Sequence, residues 1–307
     1  MSFPTYILCP GQGAQAVGMG QDFHDASPAA RDVFDETNDA LGYDLKSICF
    51  SGPEEELNKT NISQPAIYAT SIACYRAAVA ASVITPDDVT AYAGLSLGEY
   101  TALHLGGAFS FIDGLKLVQA RGTYMQEAAV ATPSGMVAIM GADEAAVQKL
   151  CDENAAGEVL VPANYNAPGQ IIVSGTLGAC ERVATAGEAA GFKTVSLKVA
   201  GAFHSPLMQV AADRMAAELD RAAWLPLNKT VYANVTAQPH RGGAEMKKLL
   251  IDQIVSPVRW EQTMQILVAA GEARYAELAP GRVLTGLLKK INRRLAVESL
   301  ATVEALK

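Results

Sequence analysis

Apolar residues along the chain follow two rhythms, short unbroken runs that stop at glycine or proline and longer stretches recurring every three or four positions. The run YILC at 6–9 predicts a strand, and Pro10 leads straight into a GQGAQ loop at 11–15. Residues 26–84 read as mostly helical, with Asp32, Glu36 and Asp39 on polar faces. GPEEEL at 52–57 is a proline-led helix start whose acids suit the dipole. NISQP at 61–65 predicts a break, after which an alanine-rich helix runs to about 81. Residues 89–93 form a second apolar run, followed by a helix carrying Ala102, Leu103 and Leu105. In the next helix, from 111, Leu115, Leu117, Val118 and Met125 make one apolar side. Arg121 stands four positions before Met125 and so shares its face. On spacing alone it reads as a surface arginine.

The middle of the chain changes rhythm. Strands are predicted at 135–141, 159–166, 170–175 and 193–199, with helices at 143–154 and 178–191. The order βαββαβ is that of a ferredoxin-like unit. The expected fold is α/β: a large α/β-hydrolase-like domain with a parallel sheet, and a small ferredoxin-like subdomain set into it. The large domain is discontinuous, residues 1–130 with 200–307, and the insert spans 131–199. A cleft between them is the natural place for a substrate. Past the insert, GAFHSP at 201–206 enters a helix through 220, and strands are predicted at 230–233 and 274–278 around a helix at 245–254. A basic amphipathic helix over 284–294 carries Lys289, Lys290, Arg293 and Arg294.

Composition narrows the class. Half of the 307 residues are hydrophobic, enough for a large buried core. Asp and Glu outnumber Lys and Arg by 32 to 24, a net charge of −8, which argues against a nucleic-acid binder. No apolar run reaches spanning length and no signal-like leader opens the chain, so a cytoplasmic location is expected. The five cysteines are scattered with no CxxC pair, and read as reduced, mostly buried thiols. No metal-ligand spacing is present, so no metal is expected.

The candidate chemistry centres on GLSLG at 94–98, which fits the G-x-S-x-G nucleophile elbow, a sharp strand-to-helix turn that presents a serine at the sheet edge. The GQG loop after the first strand fails as a dinucleotide fingerprint, because its third glycine is misplaced. It reads either as a plain turn or as a loop offering main-chain N–H groups to an oxyanion. Ser96 needs a base. His104 lies eight positions along the same helix, roughly 12 Å away, and does not reach. His24 follows the first loop and remains a possible partner, while His240 sits in what reads as a surface turn. His204, at a strand-to-helix corner on the side where α/β catalytic loops gather, is the preferred base.

Taken together, PGQGAQ at 10–15, GLSLGEY at 94–100, Arg121-Gly122, NYNAPGQIIVSG at 164–175, AFHSPLM at 202–208, QIVSPVRW at 253–260 and APGRVLTGLLKKI at 279–291 resemble one family. It is the malonyl-CoA:acyl-carrier-protein transacylases of fatty-acid and polyketide synthesis. The matches lie in family order and cover nearly the whole chain. The resemblance implies that Ser96 is acylated, that His204 is its base, and that the main-chain N–H groups of Gln12 and Leu97 form the oxyanion hole. It implies that Arg121 holds the malonyl carboxylate and that the Gln253 carbonyl orients His204 in place of a triad acid. Asn164 and Asn166 match the insert's edge of the cleft, where a turn role is equally open. Phe203 is similar to the malonyl-preferring form, in which a bulky ring leaves little room for an α-methyl group. Malonyl-CoA is implied as substrate, holo acyl carrier protein as partner, no bound cofactor, and a monomer.

One position departs from the pattern. Leu95 stands where the family usually has histidine, which makes the cleft wall drier and leaves open the balance between transfer and hydrolysis. The alternative function is therefore a serine esterase or thioesterase using Ser96 and His204 on water; a non-catalytic scaffold is the remaining reading. Arg121 discriminates the first, since a hydrolase of neutral esters has no use for a fixed guanidinium. The intact Ser96, His204 and Gly11–Gly13 loop discriminate the second.

Overall fold

The computed structural model describes residues 3–307, and nine strands occur among them. They are β1 (Thr5–Cys9), β2 (Val89–Gly94), β3 (Ser134–Met140), β4 (Leu160–Ala167), β5 (Gln170–Thr176), β6 (Lys193–Ser196), β7 (Thr230–Tyr232), β8 (Arg274–Leu278) and β9 (Val297–Leu300). Five of them make a wholly parallel sheet in the order β7-β2-β1-β8-β9. Every residue of β1 is buried, as a central parallel strand covered on both faces requires. Its alternation splits the core. Ile7 and Cys9 join one apolar cluster with Tyr92 and Leu278, and Tyr6 and Leu8 join another with Ala91, Ala93 and Trp260.

The remaining four strands form a separate antiparallel sheet, β4-β5-β3-β6. With the helices Glu144–Asn154 and Leu177–Ala189 this is the ferredoxin-like order. Val137, Ile139, Ile171 and Val173 pack under those helices, while Met136 and Ala163 point the other way into the large core. Main-chain bonds tie the two sheets' surroundings together: Tyr165 N–H donates to Val258 O and Val258 N–H to Ala163 O, both at 2.9 Å.

Several expectations are corrected. Residues 61–65 do not break the chain: one helix runs Thr60–Ala80 with Pro65 inside it. Pro65 lies in the second turn, where its missing N–H costs a single bond, and dense packing on all sides outweighs that loss. The last strand of the small sheet ends at Ser196 rather than 199, because β6 is an exposed edge paired only with β3. The basic tail helix spans Val283–Ile291 and stops before Arg293 and Arg294. The helix Trp260–Ala269 and β9 were not anticipated. All five cysteines are unpaired and buried, and no helix among the described residues is long and apolar enough to cross a membrane.

Candidate active site

Cys9 ends β1 and Gly94 ends β2, so the loops that follow lie side by side at one sheet edge. Glycine is a steric requirement at this edge. A Cβ on Gly94 would lie 1.9 Å from the Gly98 carbonyl carbon, and one on Gly98 would lie 2.1 Å from Cys9 O. The turn closes with Ser96 in the left-handed region at φ 53°, a strained state that surrounding bonds must hold. Asn234 holds it: its Oδ1 accepts the Ser96 N–H at 2.6 Å, and its Nδ2 donates to Gly94 O at 2.7 Å.

Ser96 is buried, with its Oγ 2.8 Å from Nε2 of His204. His204 sits at φ 58° in the loop after β6. That loop is pinned to the small sheet by Ser174 Oγ, which donates to Phe203 O at 2.6 Å. Nδ1 of His204 lies 2.7 Å from Gln253 O. A carbonyl only accepts, so the proton is on Nδ1 and Nε2 is free to accept from Ser96. Burial, reinforced by the nearby Arg121 cation, pushes the imidazole down to about 4, so the ring is a neutral base at neutral pH. Among the described residues, neither the Gln12 nor the Leu97 N–H donates to a protein acceptor. Leu97 stands at the start of the helix Gly98–Leu105, whose dipole favours negative charge there.

Arg121, in the middle of the helix Phe111–Ala131, is almost wholly buried. Its Nη1 donates to Gln64 Oε1 at 2.8 Å, and its Nη2 to Gln253 Oε1 at 2.8 Å and Ser96 Oγ at 3.1 Å. Its Nε–H has no partner, and no ion pair among the described residues engages it. Burial holds its pKa below the ordinary arginine value. Its direct side-chain partners are neutral amides and a hydroxyl, its face lies 5.6 Å from the centre of the Tyr100 ring, and the buried Glu99 carboxylate is one amide away through Gln253. A cavity of about 380 Å³ opens over Ser96 and His204. Its walls include Leu95 and Phe203 from loops, Asn164 and Asn166 from β4, and Val283 and Leu287 from the tail helix. That helix is fixed by the buried Glu277, whose oxygens accept the Leu284 and Thr285 N–H groups at 2.8 and 2.7 Å.

The acyl transferase domain model matches residues 5–306, almost the entire chain. The chain belongs to the acyl transferase family. It is 41% identical over 303 residues to the malonyl CoA-acyl carrier protein transacylase of Bacillus subtilis, covering 97% of this chain and 94% of that protein. The namesake from Escherichia coli K12 is 39% identical over 295 residues, covering 96% and 94%. Among solved structures, the malonyl CoA-acyl carrier protein transacylase of Coxiella burnetii superposes with a TM-score of 0.96 at 34% identity, covering 100% of this chain and 96% of the other. A malonyl-transacylase solved in complex with its type II PKS acyl-carrier protein superposes at 0.94 with 36% identity, covering 99% and 97%.

Within this acyl transferase the sequence-predicted residues fall into three groups. Ser96, His204, Arg121 and Gln253 meet directly, with Gln12 and Leu97 at the same sheet edge. Asn164, Asn166, Phe203 and Leu95 line the cavity; Asn166 Oδ1 has no protein partner. The other histidines lie apart. His104 bonds Phe109 O at 3.0 Å and His24 bonds Asp25 at 3.0 Å. His240 is the surprise: it is not in a surface turn but buried, its Nε2 2.8 Å from Glu99 Oε1. Arg121 likewise is not a surface arginine, because its helix is covered on that face by the helix Thr60–Ala80 and by the elbow. Sequence reasoning missed Asn234, Glu99 and Gln64 as parts of the site. The one available signal was Glu99, an acid two positions past the elbow's second leucine in an otherwise apolar and small-residue stretch.

Proposed function

We propose that this chain transfers a malonyl group from malonyl-CoA to the phosphopantetheine thiol of acyl carrier protein, by way of a malonyl ester on Ser96. The observation that carries the reading is the buried guanidinium of Arg121, bonded directly to no carboxylate and 3.1 Å from Ser96 Oγ. It suits an acyl group that bears its own carboxylate, which a planar fork of donors binds in bidentate fashion. The relatives named for this reaction at about 40% identity support it.

Ser96 Oγ attacks the thioester carbonyl while its proton passes to Nε2 of His204, whose imidazolium is steadied through Nδ1 by the Gln253 carbonyl. The oxyanion takes the Gln12 and Leu97 N–H groups. Collapse breaks the C–S bond, and His204 returns its proton to the departing CoA sulfur. In the second half, the carrier's thiol gives its proton to His204 and attacks the malonyl ester; Ser96 leaves and is reprotonated. A thioester becomes an oxygen ester and then a thioester again, so the free-energy change is small and excluding water is the main demand. Residues 1–130 with 200–307 supply the reacting groups in this reading, and 131–199 supply the opposite wall of the cleft. Holo acyl carrier protein is the acceptor and malonyl-CoA the donor. The esterase reading is disfavoured by Arg121, which a neutral acyl group would leave buried and unpaired.

The test is transfer of malonyl from malonyl-CoA to holo carrier protein, compared with acetyl-CoA as donor. Loading of the carrier by malonyl only, abolished by His204→Ala, is expected. Equal use of acetyl, or release of free acid without carrier loading, refutes the reading.

A further inference from the structure

Behind the reacting groups lies a second, wholly buried polar layer to which the reaction assigns no task. Its anchor is Glu99, which has no exposed surface and stands in the first turn of the helix that Ser96 leads into. Glu99 Oε2 accepts from Gln253 Nε2 at 2.7 Å and from the Asn234 N–H at 3.0 Å. Both partners act on the nucleophile's own backbone: Asn234 Oδ1 holds the Ser96 N–H, and Gln253 Nε2 lies 3.0 Å from Ser96 O. Gln253 also carries the carbonyl that orients His204 and the amide oxygen that meets Arg121. One carboxylate thus sets the position of two residues that hold the nucleophile, its base and the buried cation.

The other oxygen of Glu99, Oε1, has a single partner, Nε2 of His240 at 2.8 Å. His240 is itself fixed by its main chain, whose N–H donates to Val231 O in the middle of β7 at 2.9 Å. A buried carboxylate oxygen stripped of its donor must find another or turn. The donors already on this carboxylate are Gln253 Nε2 and the Asn234 N–H. We propose that His240 is a positioning residue for this reaction: by donating to Oε1 it locks the rotamer of Glu99, which in turn keeps Asn234 and Gln253 aimed at the Ser96 backbone. The inference rests on the reading of Ser96 and His204 as the reacting pair. It predicts a change in the reactivity of Ser96 that appears whether or not the reagent carries a carboxylate for Arg121.

The variants are His240→Gln, whose amide nitrogen can stand near the Nε2 position and donate to Glu99, and His240→Asn, whose shorter amide cannot reach. Two rates are read by intact mass: malonylation of Ser96 in a single turnover, and sulfonylation by phenylmethylsulfonyl fluoride, which has no carboxylate for Arg121. His240→Asn should slow both by about 10-fold, the weight of one lost hydrogen bond to a charged group. His240→Gln should stay within about 2-fold of wild type on the same scale. Both variants should fold, with His240→Asn melting the lower of the two, because it leaves a buried carboxylate oxygen without its donor. Wild-type rates in His240→Asn, equal slowing in the two variants, or a His240→Asn chain that does not fold would each overturn the proposal, the last by making His240 a stability residue. If wild-type Ser96 accepts no malonyl group at all, the functional reading fails instead, and the sulfonylation rates still decide the role of His240.

Discussion

Nη2 of Arg121 lies 3.1 Å from Ser96 Oγ, so the only guanidinium bonded into the described site touches the nucleophile itself. In the proposed reaction a carboxylate on the incoming acyl group competes for the same donor, and would leave the serine oxygen, already bonded to His204, without the hydrogen bond it accepts from Arg121. In that reading one nitrogen meets both the acyl carboxylate and the nucleophile. Arg121→Ala should lower kcat/KM for malonyl-CoA by about 100-fold, the ~3 kcal/mol of a charge-assisted bond to a buried cation. Acetyl-CoA should gain relative to malonyl-CoA, measured as the ratio of the two Ser96 adducts. An unchanged ratio would remove Arg121 from acyl recognition.

The pH profile carries a signed expectation. Burial first, and Arg121 second, lower His204 from its ordinary 6.5 to about 4. The acidic limb of Ser96 sulfonylation should therefore fall near pH 4, since the base stays neutral above it. Arg121→Ala removes the smaller cause and should move the limb upward while leaving it below 6.5. Stability has the same sign. Between these two values the unfolded chain binds the proton that the folded chain refuses, so this histidine's contribution falls as pH drops from 6.5 to about 4. A wild-type limb near 6.5 would contradict the burial of the base.

The elbow glycines predict a contrast in stability. A Cβ on Gly94 meets main chain at 1.9 Å, and main chain cannot step aside. Gly94→Ala should cost about 3 kcal/mol or more, and with it the reactivity of Ser96. Gly135→Ala, in β3, meets only Leu177 Cδ2 at an ordinary 3.5 Å and should change stability by less than about 1 kcal/mol. Thermal melts of the two variants provide the comparison, and equal melting points would contradict the steric account.

The tail helix supplies the surface prediction. Lys289 and Lys290 are exposed on its last turn, with Arg293 and Arg294 exposed just beyond it. Leu287 on its buried face lines the cavity, as does Gln170, which accepts from Lys290 Nζ, so this basic edge stands next to the cavity wall. Neutralising all four should raise the KM for an acidic carrier protein by about 10-fold at low salt, less at high salt. The KM for malonyl-CoA should not follow.

Local pattern and motif carried much of this architecture. The strand endings at Cys9 and Gly94, the elbow and the βαββαβ order are all short-range signals, and each has its counterpart in the fold. Ser96, His204 and Gln253 could be named because they sit in motifs that recur in a family. What could not be read is the layer behind them. Glu99 meets His240 and Asn234 across about 140 positions of chain, and His240, among Pro239, Arg241 and Gly242, has the neighbours of a surface turn. Only the close approach of β7 to β2 turns that segment inward. Arg121 was misread by spacing for a related reason: helical periodicity shows which residues share a face, not whether another helix covers it.

The most direct test of the central claim is the intact mass of the protein after incubation with malonyl-CoA, for wild type and Ser96→Ala, followed by a chase with holo carrier protein. The account predicts a single malonyl adduct on the wild type, none on Ser96→Ala, and quantitative passage of the adduct to the carrier. An adduct that persists in Ser96→Ala, or one that decays to free malonate while the carrier stays unloaded, would contradict it.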